Sequence, residues 1–480
     1  MVMATALVDH LTPADHFNDY VFIKETAKVF LENNHNKTYY GGNDGNDRHR
    51  ELPQRLIGNA LRERVESIDY ETCEAGDEDT FFVADLGEVY RQHLRWKLNL
   101  PRVKPFYAVK CNPDPKVLEL LSALGTGFDC ASKAEIEQVL NLGVDPERII
   151  YAQPCKTNSY VRYVAAKGVR QMTFDNSDEL RKIARLYPEA ELYLRILTDD
   201  SSSLCRLSQK FGASLDSTDS LLSLARQLGL NVVGVSFHVG SGASDPLAFL
   251  KAVQDAHVVF QQAASYGFNL KTLDVGGGFC SDDSFEQMSG VLRRALDEYF
   301  PAHSGVNLIA EPGRFYVSAA FTIACNVIAR RTLEDPNINM DVDPADSTST
   351  LVNRGETSYM LYVNDGLYGN FSSIMFDHQQ PIAKVLRAGG KNLYNTRAAD
   401  AVDDKEGIEY SIWGPTCDGI DRITESIRFD SLLDVGDWLY FENMGAYTKC
   451  SATKFNGFSA DHDVIYVCSE PGAKALLGMH

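Results

Sequence analysis

The chain has no CxxC pair among its ten cysteines, no apolar run near the ~18 residues that cross a bilayer, and fewer basic than acidic residues, 46 against 66. Each absence excludes something. The cysteines, at 73, 111, 130, 155, 205, 280, 325, 417, 450 and 468, lack zinc-ligand spacing, so no metal is expected. A chain of 480 residues that is 44% apolar has material for a large core and needs no disulfide staples, so reduced thiols in a cytosolic protein are the simplest account. The short apolar runs, and an N-terminus (MVMATALVDHLTPADHF) without a basic segment ahead of an apolar one, lead us to expect a soluble, unexported, cytoplasmic protein with no membrane partner. A formal net charge of −20 repels phosphate backbones and argues against a nucleic-acid partner.

What is present is a change of rhythm along the chain. Residues 1–75 mix a few apolar clusters with the polar stretch NNHNKTYYGGNDGNDRHR (33 to 50), which does not support a packed element, so a mobile extension is expected. From residue 80, short β-branched or aromatic runs alternate with longer amphipathic stretches. Eight strand candidates follow: PFYAVKC (105 to 111), TGFDCAS (126 to 132), RIIYAQP (148 to 154), QMTFDN (171 to 176), ELYLRIL (191 to 197), VVGVSFHVG (232 to 240), KTLDVGGGF (271 to 279) and VNLIAEPG (306 to 313). Segments between them, such as SDELRKIARLY and DSLLSLARQLG, place apolar residues three and four apart. Eight such units fit an α/β fold, a (β/α)8 barrel of the TIM type over 76–325. A doubly wound open sheet would use fewer strands and would carry its Gly-rich turn after the first strand instead of the seventh. Beyond, short alternating runs predict a C-terminal β-rich domain, barrel or sandwich, over 326–480, interrupted by a polar loop at 334–358. The segment TFFVADLGEVYRQHLRWKL (80 to 98) begins strand-like before turning helical, which leaves open that the chain enters the β domain first.

Barrel chemistry sits at the C-terminal ends of the strands, and these ends carry Lys110, Asp129, Arg195, His238, Gly276, Gly277, Gly278, Glu311 and Arg314. Lys110 closes the apolar run FYAV, where desolvation is costly unless the lysine is paired or held as a neutral amine or imine. Two readings follow: an ion pair with a carboxylate such as Asp129, simpler from this residue alone, or a Schiff-base lysine. The run LDVGGGF (273 to 279) exposes successive N–H groups after strand seven, where barrels often bind phosphate, and Arg314 in EPGR supplies a charged donor. A plain tight turn is the competing reading. Glu311 is an odd phosphate ligand but a good partner for a protonated ring nitrogen. His238, in SFHVGSG, suits stacking on a ring and Ser241 suits a phosphate, although a structural histidine is the commoner case. Lysine, phosphate cradle, arginine and ring-facing carboxylate together suggest pyridoxal 5'-phosphate. In the β domain, WGPTCDGIDRI (413 to 423) forms a loop around Cys417. Most lone cysteines are inert packing residues, but the adjacent Asp418 disfavours a thiolate, which suits a proton donor better than a nucleophile.

These residues lie in motifs of a known family. PFYAVKCN, GFDCASKAEIE, SFHVGSG, DVGGGF, AEPGRFYV, YVNDGLYGNF, FDHQ, GPTCDGID and FENMGAYT occur in the order found in eukaryotic ornithine decarboxylases, pyridoxal-phosphate enzymes of fold type III. The chain resembles that family over about residues 80 to 460. The resemblance implies decarboxylation of L-ornithine to putrescine and CO2, the entry step of polyamine biosynthesis. It implies that Lys110 holds the cofactor, that Glu311 bonds the pyridine nitrogen, and that His238 stacks on the ring. Asp129, Glu135 and Arg195 would form the polar shell, and Ser241, Gly276 to Gly278, Arg314 and Tyr447 the phosphate seat. Cys417 would donate the proton, and Asp418 and Asp377 would receive the distal amine, with Phe376 and Tyr368 beside them. The family often has tyrosine where this chain has Phe376, so one hydroxyl is absent beside Asp377. A head-to-tail homodimer is also implied, in which Lys110 of one subunit meets Cys417 and Asp418 of the other, with antizyme as a candidate regulator.

Two other readings compete. A non-catalytic homologue acting as an antizyme decoy would commonly have lost cofactor-site residues, whereas Lys110, Glu311, Arg314 and Cys417 are all present. A barrel aldolase with a Schiff-base lysine and a phosphate pocket would need no pyridoxal phosphate. The long polar loop DDSSSLCRLSQKFG (199 to 212) reads equally as a cover for the site and as a solvated surface loop.

Overall fold

The computed structural model describes residues 47–333, 358–402, 407–459 and 461–479. Residues 1–46 of the expected extension and residues 334–357 of the polar loop lie outside the described residues. Two compact units are present, one built on 86–318 with the segment from Glu470, the other on 50–85 and 319–469. Strand β1 (Phe81–Asp85) belongs to the second unit. The next eight are β2 (Val103–Ala108), β3 (Gly127–Cys130), β4 (Ile149–Tyr151), β5 (Gln171–Phe174), β6 (Glu191–Arg195), β7 (Asn231–Ser236), β8 (Thr272–Asp274) and β9 (Asn307–Ala310). They close into a barrel in which every neighbouring pair is parallel. This is the expected (β/α)8 architecture, with the eight sequence runs in the same order.

The sequence explains the closure locally. Phe106 on β2 pairs with Gly127 on β3, and a Cβ on Gly127 would lie 2.4 Å from the Phe106 ring. Tyr193 on β6 faces Gly234 on β7 in the same way, at 2.8 Å. A missing side chain on one strand therefore admits an aromatic from the next, and Phe106, Ile150, Tyr193 and Ile309 meet in one core cluster. Burying each is worth about 1.5–3 kcal/mol. The helices begin where capping residues stand. Asp114 accepts the Lys116 and Val117 N–H groups ahead of Pro115–Ala123, and Asn176 accepts that of Glu179 ahead of Ser177–Leu186. In Leu215–Gln227 the buried positions Thr218, Leu221, Leu222 and Ala225 fall three or four apart, the stripe that lies on the barrel side.

The second unit holds β10 (Phe321–Leu333), β11 (Ser358–Val363), β12 (Lys384–Ala388), β13 (Lys391–Asn392), β14 (Ile408–Trp413), β15 (Arg422–Phe429), β16 (Trp438–Phe441) and β17 (Val464–Val467). The main path is β13-β12-β16-β10-β11-β14-β15, and β1 pairs with β10 and β17. Two boundaries differ from the sequence expectation. Residues 47–75 are not a loose extension: Asp47–Glu66 is a helix, and Leu61, Val65 and Ile68 pack against Phe81, Trp438 and Tyr440. Leu61 and Val65 are one turn apart and two of their partners, Trp438 and Tyr440, are hundreds of residues away, so local composition, dominated by the neighbouring Asn, Gly and Asp, hid the helix. At the other end, Pro471–Leu477 is a helix grouped with the barrel unit, so the β domain does not run to residue 480. Among the described residues no helix is long and apolar enough to cross a membrane.

Candidate active site

The barrel contributes groups from its strand ends. A tight turn, Val109–Cys111, follows β2 and directs Lys110 to β3, where its Nζ is ion-paired with Asp129 Oδ2. Asp129 is fully buried, while 38% of the Lys110 side-chain surface is open. The ion pair that the sequence offered as the simpler reading is thus formed, and it leaves the amine reachable. Ser132 caps the helix Lys133–Asn141, and Glu135 Oε2 accepts the Ala131 N–H at 2.6 Å, so Glu135 braces the turn after β3. Burial raises the Glu135 pKa.

His238 lies just after β7, and its Nδ1 accepts the Gly240 N–H at 3.0 Å, which assigns the proton of the neutral ring to Nε2. Burial, then the Arg195 and Lys110 cations, hold its pKa well below 6.5, so the ring is uncharged. The glycine run after β8 has no room for side chains. Gly276 and Gly278 have φ of +64° and +108°. A Cβ there would lie 2.0 Å from Phe237 O and 2.8 Å from Gly240 O respectively. Phe279 pins the run, with ring centroids 4.9 Å from both Trp96 and Phe249. Arg314 Nη2 donates to Ser241 Oγ at 3.1 Å, joining the two groups expected at a phosphate. Glu311 follows β9 and keeps part of its surface accessible; burial, with Asp129 and Asp274, raises its pKa well above 4.5.

The loop at 199–212 is built rather than merely solvated. The buried Asp200 accepts the Leu207 and Ser208 N–H groups at 2.6 and 2.8 Å. Cys205 and Ser241 exchange backbone hydrogen bonds of 3.2 and 3.3 Å, tying the loop to the Arg314 partner. Arg195, at the end of β6, lies 5.1 Å over the Phe211 ring.

The second unit carries the other expected groups. Tyr368 donates its hydroxyl to Asp418 Oδ2, and this bond holds the Asp418 pKa below the ordinary carboxylate value. Cys417 is exposed, and its N–H donates to Asn456 Oδ1 at 2.9 Å. Asp377 is buried at the C-terminal end of the short helix Ser373–Phe376, while Phe376 is 69% exposed. Tyr447 has φ +55° and its carbonyl accepts the Ser451 hydroxyl at 2.8 Å.

Sequence reasoning missed the supports. Buried Asp421 accepts Leu367 N–H at 2.7 Å on one oxygen, and Thr416 N–H and hydroxyl at 3.0 and 2.6 Å on the other. It therefore ties the Tyr368 turn to the Cys417 loop. A Cβ on Gly366 or Gly414 would come within 2.2 or 2.3 Å of its carboxylate. The signal was in GPTCDGID, as an aspartate three residues beyond the pair Cys417 and Asp418. Asp274, in the glycine motif, was overlooked because the glycines drew attention to backbone donors.

The chain is similar to known proteins over its whole length. The model of a family described as pyridoxal-dependent decarboxylase, pyridoxal binding domain, matches residues 86–318. Ornithine decarboxylase of Neurospora crassa is 73% identical over 488 residues, covering 100% of each chain. Antizyme inhibitor 2 of Xenopus laevis is 49% identical over 407 residues, covering 84% of each. The crystal structure of the Paramecium bursaria Chlorella virus arginine decarboxylase bound to agmatine superposes with a TM-score of 0.74 at 34% identity, covering 86% of this chain and 100% of that one.

Proposed function

The chain belongs to the ornithine decarboxylase family, and from that membership we infer that it is a pyridoxal-phosphate-dependent enzyme converting L-ornithine to putrescine and CO2, the entry step of polyamine biosynthesis. The residues fit the cofactor: the glycine run is barred from carrying side chains, Arg314 and Ser241 meet beside it, and a reachable lysine stands on a buried aspartate. Pyridoxal phosphate supplies an electron sink for the pair left behind when CO2 departs.

The division of labour among the residues is our proposal. Lys110 is the tethering amine, and Asp129 orients it and holds its proton when it is free. Gly276 to Gly278, Ser241, Arg314 and Tyr447 seat the phosphate through N–H and charged donors. His238 lies against the ring as a neutral aromatic, Glu311 meets the pyridine nitrogen, and Glu135 and Arg195 complete the polar surround. Asp418, kept ionised by Tyr368, and Asp377 bind the distal ammonium of ornithine, with Phe376 packing beside them. Cys417 Sγ gives its proton to the former α-carbon once the carboxylate has left as CO2. The observation that most supports this assignment is the juxtaposition of Lys110 and Asp129 at the mouth of a barrel that also carries the glycine cradle.

We further propose a homodimer in which Lys110 of one subunit works with Cys417 and Asp418 of its partner. The residues flanking the Cys417 loop and Asp377 support this, since Met375, Phe376, Ile420, Phe455 and Phe458 are all exposed. Antizyme is proposed as a regulatory partner on the likeness to antizyme inhibitor 2 alone. The aldolase reading is set aside by family membership. The decoy reading is tested by CO2 release from carboxyl-labelled L-ornithine, L-lysine and L-arginine with added pyridoxal phosphate. Ornithine-selective release is expected. Silence with all three, in a protein without the cofactor's absorption band, would instead identify a decoy.

A further inference from the structure

Three glycines in a row hold no shape by themselves. Without Cβ atoms, Gly276 to Gly278 reach many conformations at little cost, so their N–H groups keep one set of directions only if both ends of the run are fixed. The entry is fixed by β8, whose last residue, Asp274, accepts the Gly276 N–H at 2.9 Å. The exit, from Phe279 to Asp283, is neither strand nor helix until Ser284 opens the helix Ser284–Tyr299. What holds the exit stands on the helix Leu86–Asn99, which carries none of the groups assigned above.

On that helix the Arg95 side chain is only 12% exposed, and its guanidinium has an acceptor for each of its five N–H groups. Nε and Nη2 donate to the two carboxylate oxygens of Glu286 at 2.7 and 2.5 Å. Nη1 donates to Ser281 O at 2.6 Å and Nη2 to Asp282 O at 2.8 Å, while Gln92 Oε1 takes a longer bond of 3.4 Å from Nη1. The same guanidinium carbon lies 5.0 Å from the Phe285 ring centroid and 5.9 Å from that of Phe315, the residue after Arg314. Beside it, the buried Trp96 meets Phe279 and Phe315 with centroids 4.9 and 5.4 Å away. A hydrogen bond of 2.8 Å between the Ser281 and Ser318 hydroxyls ties the exit loop to the turn beyond Arg314.

We propose that Arg95 is a positioning residue for the phosphate seat: it sets the exit of the glycine run against Arg314, so that backbone N–H groups and a guanidinium converge on one phosphate. This rests on the reading that those groups seat the phosphate. Because the Arg95 donors are all engaged by protein acceptors, the residue acts through the loop and not on the phosphate itself. Two carbonyls and a carboxylate are met here by one planar fork, whereas a lysine would offer three donors from a single atom. Hydrogen bonds weaken steeply as their angle closes, so a turn of the glycine run loses several phosphate bonds together.

The test compares pyridoxal 5'-phosphate with pyridoxal, which has the ring and the aldehyde but no phosphate, in binding to the cofactor-free full chain. Arg95→Met keeps an unbranched stem against Phe285 and Phe315 and removes all five donors. Its affinity for pyridoxal 5'-phosphate should fall about ten-fold or more, while its affinity for pyridoxal stays parental. Equal losses for the two ligands would overturn the proposal, since they would report a general loosening of the barrel mouth, and so would no loss for either. Arg95→Lys keeps the charge and serves where methionine prevents folding. It should show the same phosphate-selective loss, and parental affinity in it would overturn the role of the fork. Arg314→Met separates the proposal from its premise. If that variant binds both ligands as the parent does, the phosphate-seat reading fails. A phosphate-selective loss there with none in Arg95→Met would remove the role of Arg95 alone.

Discussion

In the barrel unit the polar side chains of the site are buried or half-buried and answered by one another, whereas in the β unit Cys417, the proposed proton donor, stands on the surface in a loop tied down by the buried Asp421. Lys110 is met by Asp129 and Arg314 by Ser241, so removing one group leaves another uncompensated. Around Cys417 the buried member is Asp421, which binds backbone and hydroxyl donors and touches no reacting atom. The barrel half is an electrostatic device whose parts sense each other's charge. The β half is a geometric one, and an exposed thiol gains a dry environment only from something that covers it.

The largest expected effect follows from that difference. Lys110→Ala and Cys417→Ala should each lose activity by about 10²–10⁴-fold, the scale of a lost general acid–base group. If the two halves are completed between subunits, mixing the two dead variants and allowing exchange should restore about one quarter of parental activity, because half the dimers are mixed and each has one intact site. No restoration in verified mixed dimers would place both halves in the same subunit.

A smaller effect separates geometry from charge. Asp421→Ala should lower kcat by roughly 10–100-fold by releasing the Tyr368 turn from the Cys417 loop. The absorption spectrum of the bound cofactor should stay parental, because the barrel groups are untouched. A cofactor spectrum altered as much as the rate would show that the two halves are not separable in this way.

The smallest effect concerns Tyr368. Its hydroxyl depresses the Asp418 pKa, so in Tyr368→Phe that carboxylate should protonate at a higher pH than in the parent. Ionised Asp418 is fully available above the ordinary carboxylate range and lost as pH falls through its folded value. The KM for ornithine should therefore rise roughly two- to ten-fold, with the gap between variant and parent widening as pH decreases. A gap constant with pH would mean that Tyr368 acts by packing on Phe455, whose ring centroid is 4.4 Å away.

The same contrast explains what could be read from the sequence. The eight barrel strands were legible because each is a short apolar run between amphipathic helices. Their ends were overrun because Val109, Cys111 and Val239 are as buried as the strands they follow, so hydrophobicity does not mark where pairing stops. Lys110, His238, Arg314 and Cys417 stood out by residue type at strand ends or in a loop. Asp421, Asn456 and Asp274 did not, because they act on backbone N–H groups, and no pattern in the chain announces such a partner. The helix Asp47–Glu66 was hidden for a related reason, since its apolar face makes sense only against Trp438 and Tyr440.

Strand β1 has one further consequence, for how the protein is made. All five of its residues are buried, and Phe82 pairs across to Ile323 and Val464. At translation rates of about 5–20 residues per second, the stretch between β1 and β17 takes roughly 20–75 s to emerge from the ribosome. The barrel strands are complete long before then, while Phe81, Phe82 and Val83 wait on a nascent chain with an unfilled edge. Synthesis thus opens a window in which a chaperone, or a second nascent copy, competes with residues not yet translated.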